Sequence, residues 1–161
     1  MSASPPRKLV RATVDANLLV SGLLWFGVPG QLVDAWLAGQ FRLVTALPLR
    51  EELADVLTRP KFARRGLTPE RLATILDALA ASDQATLLPT LPIAVRDPDD
   101  AIYLACALGG QADYLVTGDD DVLVLDGEPA LGTLRIVTVR AFLGVIGVAP
   151  LTPPREESEP R

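Results

Sequence analysis

The chain has 161 residues, 49% hydrophobic and 22% charged, with a formal net charge of −5 and no histidine. That size and balance describe about one globular domain and exclude a disordered chain, while the acidity argues against generic adhesion to nucleic acid. Without imidazole, Ser-His-Asp and Cys-His catalysis are excluded and the choice of cation narrows, since an all-oxygen site suits magnesium, manganese or calcium.

Met1 to Lys8 lacks an apolar segment of signal-peptide kind. The longest nearly apolar stretches, Leu18 to Pro29 and Phe142 to Leu151, fall short of the roughly 18 residues a membrane span needs. The expectation is a cytoplasmic protein with no membrane contact. The single cysteine, Cys106, lies in the apolar run Ala101 to Leu108 and reads as a small core residue.

In chain order, Leu9 to Val14 reads as a buried strand and Asn17 to Leu24 as a short helix. Gly27-Val28-Pro29-Gly30 opens a second helix with Leu32, Val33, Trp36 and Leu37 on one face and Gly39 as its stop. Phe41 to Thr45 is a second strand. Pro48 starts a helix through Thr58 that Pro60 ends, and Thr68-Pro69 starts a longer one with Leu72, Ile75, Leu76 and Leu79 on its apolar face. Ala85 to Leu88 reads as a short strand before a loop with Pro89 and Pro92. Asp97-Pro98 then opens a helix that Gly109-Gly110 stops. Tyr114 to Thr117 and Leu134 to Thr138 read as strands, and Val139 to Val148 as the last helix. This alternation predicts a three-layer α/β domain with a largely parallel sheet flanked by helices. Residues 1–7 form an N-terminal extension, 8–148 the domain, and 149–161 a disordered Pro/Glu-rich tail.

Four carboxylates interrupt this apolar pattern. Asp15 and Asp119 each follow a strand, at the edge where open parallel sheets bind ligands. Glu52 fills a position in the stripe of Leu49, Leu53, Val56 and Leu57 and is expected to point inward, whereas Glu51 and Asp55 lie on the opposite face. Asp100 stands one and two turns before Leu104 and Leu108. Each also has a plain structural explanation: an N-cap for Asp15, a turn residue for Asp119, a stripe-edge side chain reaching water for Glu52, and a first-turn acid for Asp100, beside Asp97 as N-cap. Gathered together, they would repel one another unless a multivalent cation balanced them. Separately, Arg59, Lys61, Arg64 and Arg65 form a basic cluster, either a phosphate-binding segment or a solvated loop. Trp25 and Trp36 read as core or interface anchors.

Val14-Asp15-Ala16-Asn17-Leu18-Leu19-Val20-Ser21, Glu51-Glu52-Leu53 with Leu57-Thr58-Arg59-Pro60-Lys61-Phe62, Arg96-Asp97-Pro98-Asp99-Asp100 and Leu115-Val116-Thr117-Gly118-Asp119 resemble, in that order, PIN-domain proteins and more narrowly their toxin branch. The resemblance spans about Lys8 to Ile146. It implies an acidic quartet at Asp15, Glu52, Asp100 and Asp119, with Asp121 as an extra acid and Asn17, Ser21 and Thr117 as polar support. It further implies Mg²⁺- or Mn²⁺-dependent cleavage of single-stranded RNA, a homodimer, and a small antitoxin protein that covers the site. Ala16 departs from the Thr or Ser common after the first acid, which removes a hydroxyl near the metal. The alternative within the same fold is a catalytically inactive binding module of an RNA-processing or regulatory complex. A phosphatase of haloacid-dehalogenase type would need a second Asp two residues after Asp15, where this chain has Asn17.

Overall fold

In the computed structural model, which describes residues 8–24 and 27–151, five short strands alternate with helices. The N-terminal extension, Trp25 and tail residues 152–161 lie outside the described residues. β1 (Arg11–Val14) is followed by α1 (Ala16–Leu24) and α2 (Val28–Leu37). Next come β2 (Arg42–Thr45), α3 (Leu47–Leu57), α4 (Pro60–Arg64), α5 (Pro69–Ala80) and β3 (Asp83–Gln84). The chain closes with α6 (Pro98–Gly109), β4 (Tyr114–Val116), α7 (Asp120–Leu123), a 3-10 turn at Pro129–Leu131, β5 (Arg135–Val137) and α8 (Val139–Val145).

All strand pairs are parallel, in the order β3-β2-β1-β4-β5. Side chains alternate across a pleated strand, so each strand feeds both faces. Ala12, Val14 and Val116 pack with Leu19, Leu32, Val33, Ile75 and Phe142 on one face, whereas Leu115 and Ile136 pack with Leu104, Cys106 and Ala107 of α6 on the other. Phe41 and Phe142 meet edge to face with centroids 4.9 Å apart, the arrangement the ring quadrupoles favour. Cys106 is fully buried, its thiol against the Val44 carbonyl at 3.7 Å, and burial pushes its pKa up to about 11. It is the inert core residue its surroundings in sequence predict.

Pro29, Pro48, Pro60, Pro69 and Pro98 each occupy the first turn of a helix, where a missing N–H costs no hydrogen bond. This corrects the reading around Pro60: it opens α4, so the basic cluster forms a short helix and its caps instead of a loop. The third strand is also displaced. Asp83 and Gln84 pair with Val44 and Thr45, while Ala85 to Leu88 continues as an extended strap that donates from Ala85 N–H to the Thr45 carbonyl at 2.7 Å and from Leu88 N–H to the Ala105 carbonyl at 3.0 Å. The strap runs so close to the end of α6 that a Cβ on Gly109 would sit 1.9 Å from the Thr86 oxygen. The last helix stops at Val145. Beyond it, Gln31 accepts from the Leu151 N–H at 2.8 Å and donates to the Ala149 carbonyl at 2.9 Å, holding the chain exit against α2.

Candidate active site

Parallel strands bring the residues after each of them to one edge of the sheet, and Asp15 and Thr117 follow the neighbouring strands β1 and β4. Asp15 is 7% exposed. Its Oδ1 accepts the Asn17 N–H at 2.9 Å, which starts α1, and its Oδ2 accepts the Thr117 hydroxyl at 3.3 Å. The Thr117 oxygen in turn accepts the Asp119 N–H at 3.1 Å, so one buried hydroxyl ties the first acid to the backbone of the last. Asp119 caps α7 by accepting the Asp121 N–H through Oδ1 at 2.9 Å. The capping and site readings of Asp15 and Asp119 are therefore compatible: a cap engages one oxygen and orients the carboxylate.

Asp100 lies in the first turn of α6, which Asp97 caps by accepting the Asp99 N–H at 2.9 Å. The Asp100 carboxyl lies near that of Asp119 at this edge. Burial, then Asp119, then the charges of Asp97 and Asp15 push its pKa up to about 6. The cause is a crowd of like charges in a half-buried place.

Glu52 differs from expectation because its side chain is exposed, not turned inward. It remains part of the cluster electrostatically. The half-buried Tyr103 phenol is pushed up to about 12, first by burial and then by the charge of Asp15, with Glu52 and Asp100 adding and the Ala16 backbone opposing. Tyr103 thus stays a neutral O–H among the acids. No feature of periodicity marked it, although it stands three residues after Asp100 and so on the same helix face.

The supporting polar residues divide. Thr117 bonds directly to the acids, Asn17 contributes its backbone N–H, and Ser21 is half-buried on α1 with no side-chain hydrogen bond among the described residues. Thr117 supplies Asp15 with the hydroxyl contact that Ala16 cannot make. Asp121 is exposed in the first turn of α7. In the basic cluster, Arg59 pairs with Asp55 at 3.3 Å, Lys61 lies 5.2 Å from the Phe62 ring centroid, and Arg64 and Arg65 are exposed. None of the four pairs with the acidic quartet among the described residues.

The donor set consists of oxygens only, which fits a hard divalent cation. Among the described residues no three acidic side chains converge on one ion-sized space. Between α3 and α6 a cavity of about 20 Å³, room for one water, is lined by Ala16, Thr45, Arg50 and Tyr103 among others.

Compared with known protein families, residues 11–121 match the PIN domain, a span that holds all four acids. No curated protein and no solved structure matches the chain.

Proposed function

The chain belongs to the PIN-domain family, whose members are generally nucleases, and from that premise we propose that it is a metal-dependent endoribonuclease cleaving single-stranded RNA. The observation that carries the reading is the crowding of Asp100 by Asp119, Asp97 and Asp15 at the ligand-binding edge of a parallel sheet, with no basic side chain paired to any of them among the described residues. A fold gains nothing from this repulsion; a cation site does.

Asp15, Asp100 and Asp119 are the residues that would hold Mg²⁺ or Mn²⁺, with Glu52 and Asp121 at the rim. Such an ion would supply Lewis-acid charge at the scissile phosphate and a more acidic water. The chain's own contribution is orientation. Asn17 N–H and the Thr117 hydroxyl fix both oxygens of Asp15, and the α7 cap fixes one oxygen of Asp119. A cation held there would compete with the proton on Asp100, whose pKa is pushed up to about 6, and would couple loading of the site to pH. Tyr103 offers a neutral donor near the carboxylates. Arg59, Lys61, Arg64 and Arg65 form a basic segment for the RNA backbone.

The motif order supports the toxin of a toxin-antitoxin pair acting in the cytoplasm as a homodimer, inhibited by a small antitoxin that places a basic side chain among the acids. No single helix among the described residues is long and apolar enough to cross a membrane.

Incubating the purified protein with structured and unstructured RNAs, with and without EDTA, tests the activity. Cleavage of unstructured RNA should require Mg²⁺ or Mn²⁺ and vanish in Asp15→Asn. Equal cleavage in EDTA rejects the metal, and no cleavage of any RNA under any divalent ion favours an inactive binding module.

A further inference from the structure

One basic side chain on α3 is left without a role by this chemistry. Arg50 is the fourth residue of that helix and pairs with no carboxylate among the described residues, although five other arginines do. Its Nε is buried and lacks a hydrogen-bond partner. With the Gln84 amide turned so that its oxygen faces the guanidinium, Nη2 and Nη1 donate to it at 2.8 and 3.1 Å. That neutral acceptor positions the group and leaves its charge uncompensated.

Two features make this arrangement unfavourable for a purely structural residue. A cation near a helix N-terminus opposes the helix dipole, and here its charge meets only the neutral Gln84 amide. An anion brought to Arg50 relieves both. Local rules are broken in this way mainly at functional positions.

The position is suitable. The cavity that Arg50 lines is also lined by Ala16, the neighbour of Asp15, and by Tyr103, whose phenol feels the charges of Asp15, Glu52 and Asp100. Glu52, two residues further along α3, lies on the other flank of the buried stripe of Leu49, Leu53 and Leu57. Arg50, in the first turn after β2, and the acids after β1 and β4 thus lie at the same edge of the sheet, with the cation on the β3 side. The planar guanidinium fork matches phosphate oxygens. A polyanion approaching an acidic edge needs such a local anchor.

We propose that Arg50 binds a non-scissile backbone phosphate of the single-stranded substrate, on the β3 side of the carboxylate cluster, and so sets the path of the strand into it. This inference rests on the nuclease reading above. The test uses the full chain, a labelled single-stranded oligoribonucleotide, and Arg50→Gln and Arg50→Lys. Affinity is measured in the non-cleaving Asp15→Asn background over a salt series, and kcat and KM in the active protein. Arg50→Gln should raise KM with little change in kcat and flatten the log–log salt slope by roughly 0.7, the value for one phosphate contact on a single strand. Arg50→Lys should keep the slope, and the melting temperature of Arg50→Gln should equal or exceed the parent's. Unchanged KM and salt slope in Arg50→Gln, or a lower melting temperature with an unchanged slope, overturns the inference while cleavage by the parent keeps the nuclease reading intact. A parent that neither binds nor cleaves RNA overturns both.

Discussion

Asp100 shows what the acid cluster costs. In the unfolded chain its carboxyl titrates near 3.9, whereas in the fold burial and Asp119 push it up to about 6. The folded state therefore binds more protons between those values, so stability falls as pH rises through that window and the whole penalty is present above about 6. Asp100→Asn should stabilise the metal-free protein at pH 7–8 by on the order of 1–2 kcal/mol after solvent screening, read as a higher melting temperature, and leave it nearly unchanged at about pH 4. Adding Mg²⁺ or Mn²⁺ should stabilise the parent at pH 7–8 and not the variant to the same degree. A melting curve that shows the same difference at both pH values would mean that Asp100 acts through packing and not through charge. Thr117 is the other decisive residue at this scale, because its one buried oxygen serves Asp15 and Asp119 together.

Among the elements, α3 holds the sharpest contrast. Glu51 and Glu52 are adjacent and both exposed, yet only Glu52 acts on the Tyr103 phenol between the acids. About 100° of helix rotation separates them. Glu52→Gln should reduce cleavage strongly and Glu51→Gln hardly at all, as measured by initial rates under matched metal. Near-equal rates for the two variants would remove Glu52 from the site. The packing of α6 against the 85–88 strap gives a second contrast. Gly109→Ala drives a Cβ into the Thr86 carbonyl and should destabilise by about 1–3 kcal/mol, whereas Gly144 in α8 has nothing within 4 Å, and Gly144→Ala should gain up to about 1 kcal/mol from helix propensity. Chemical denaturation reads both signs; a neutral Gly109→Ala would show that the strap yields readily.

Across the whole molecule, the two ends of the sheet treat charge oppositely. At the entry ends of the strands, Asp83 bridges Arg42 and Arg11, at 2.5 and 2.9 Å, and Asp126 pairs with Arg135 at 3.0 Å. At the exit ends the acids face one another. Asp83 is lowered to about 2, chiefly by its hydrogen bond from Arg42. A depressed folded pKa contributes stability that is full above the unfolded value of about 3.9 and is lost as pH falls through about 2. Asp83→Asn should therefore be less stable than the parent at pH 5–7, with the difference shrinking toward pH 2 in thermal melts. A difference independent of pH would mean that the bridge works by hydrogen-bond geometry alone.

The sequence alone determined the alternation of strands and helices, the parallel sheet, the buried Cys106, and the placing of Asp15 and Asp119 beyond strand ends. These follow from local periodicity and turn chemistry, which a single segment carries by itself. Proline was legible as punctuation but not in direction, since Pro60 can close one helix or open the next and only packing of Phe62 into the core selects the second. The tertiary structure alone decided the strand order, the shift of β3 to Asp83–Gln84, the exposure of Glu52, and the meeting of Arg50, Tyr103 and Ala16 around one cavity. Those depend on which distant segments pair. Pairing energy is shared between segments far apart in the chain, so no local pattern contains it.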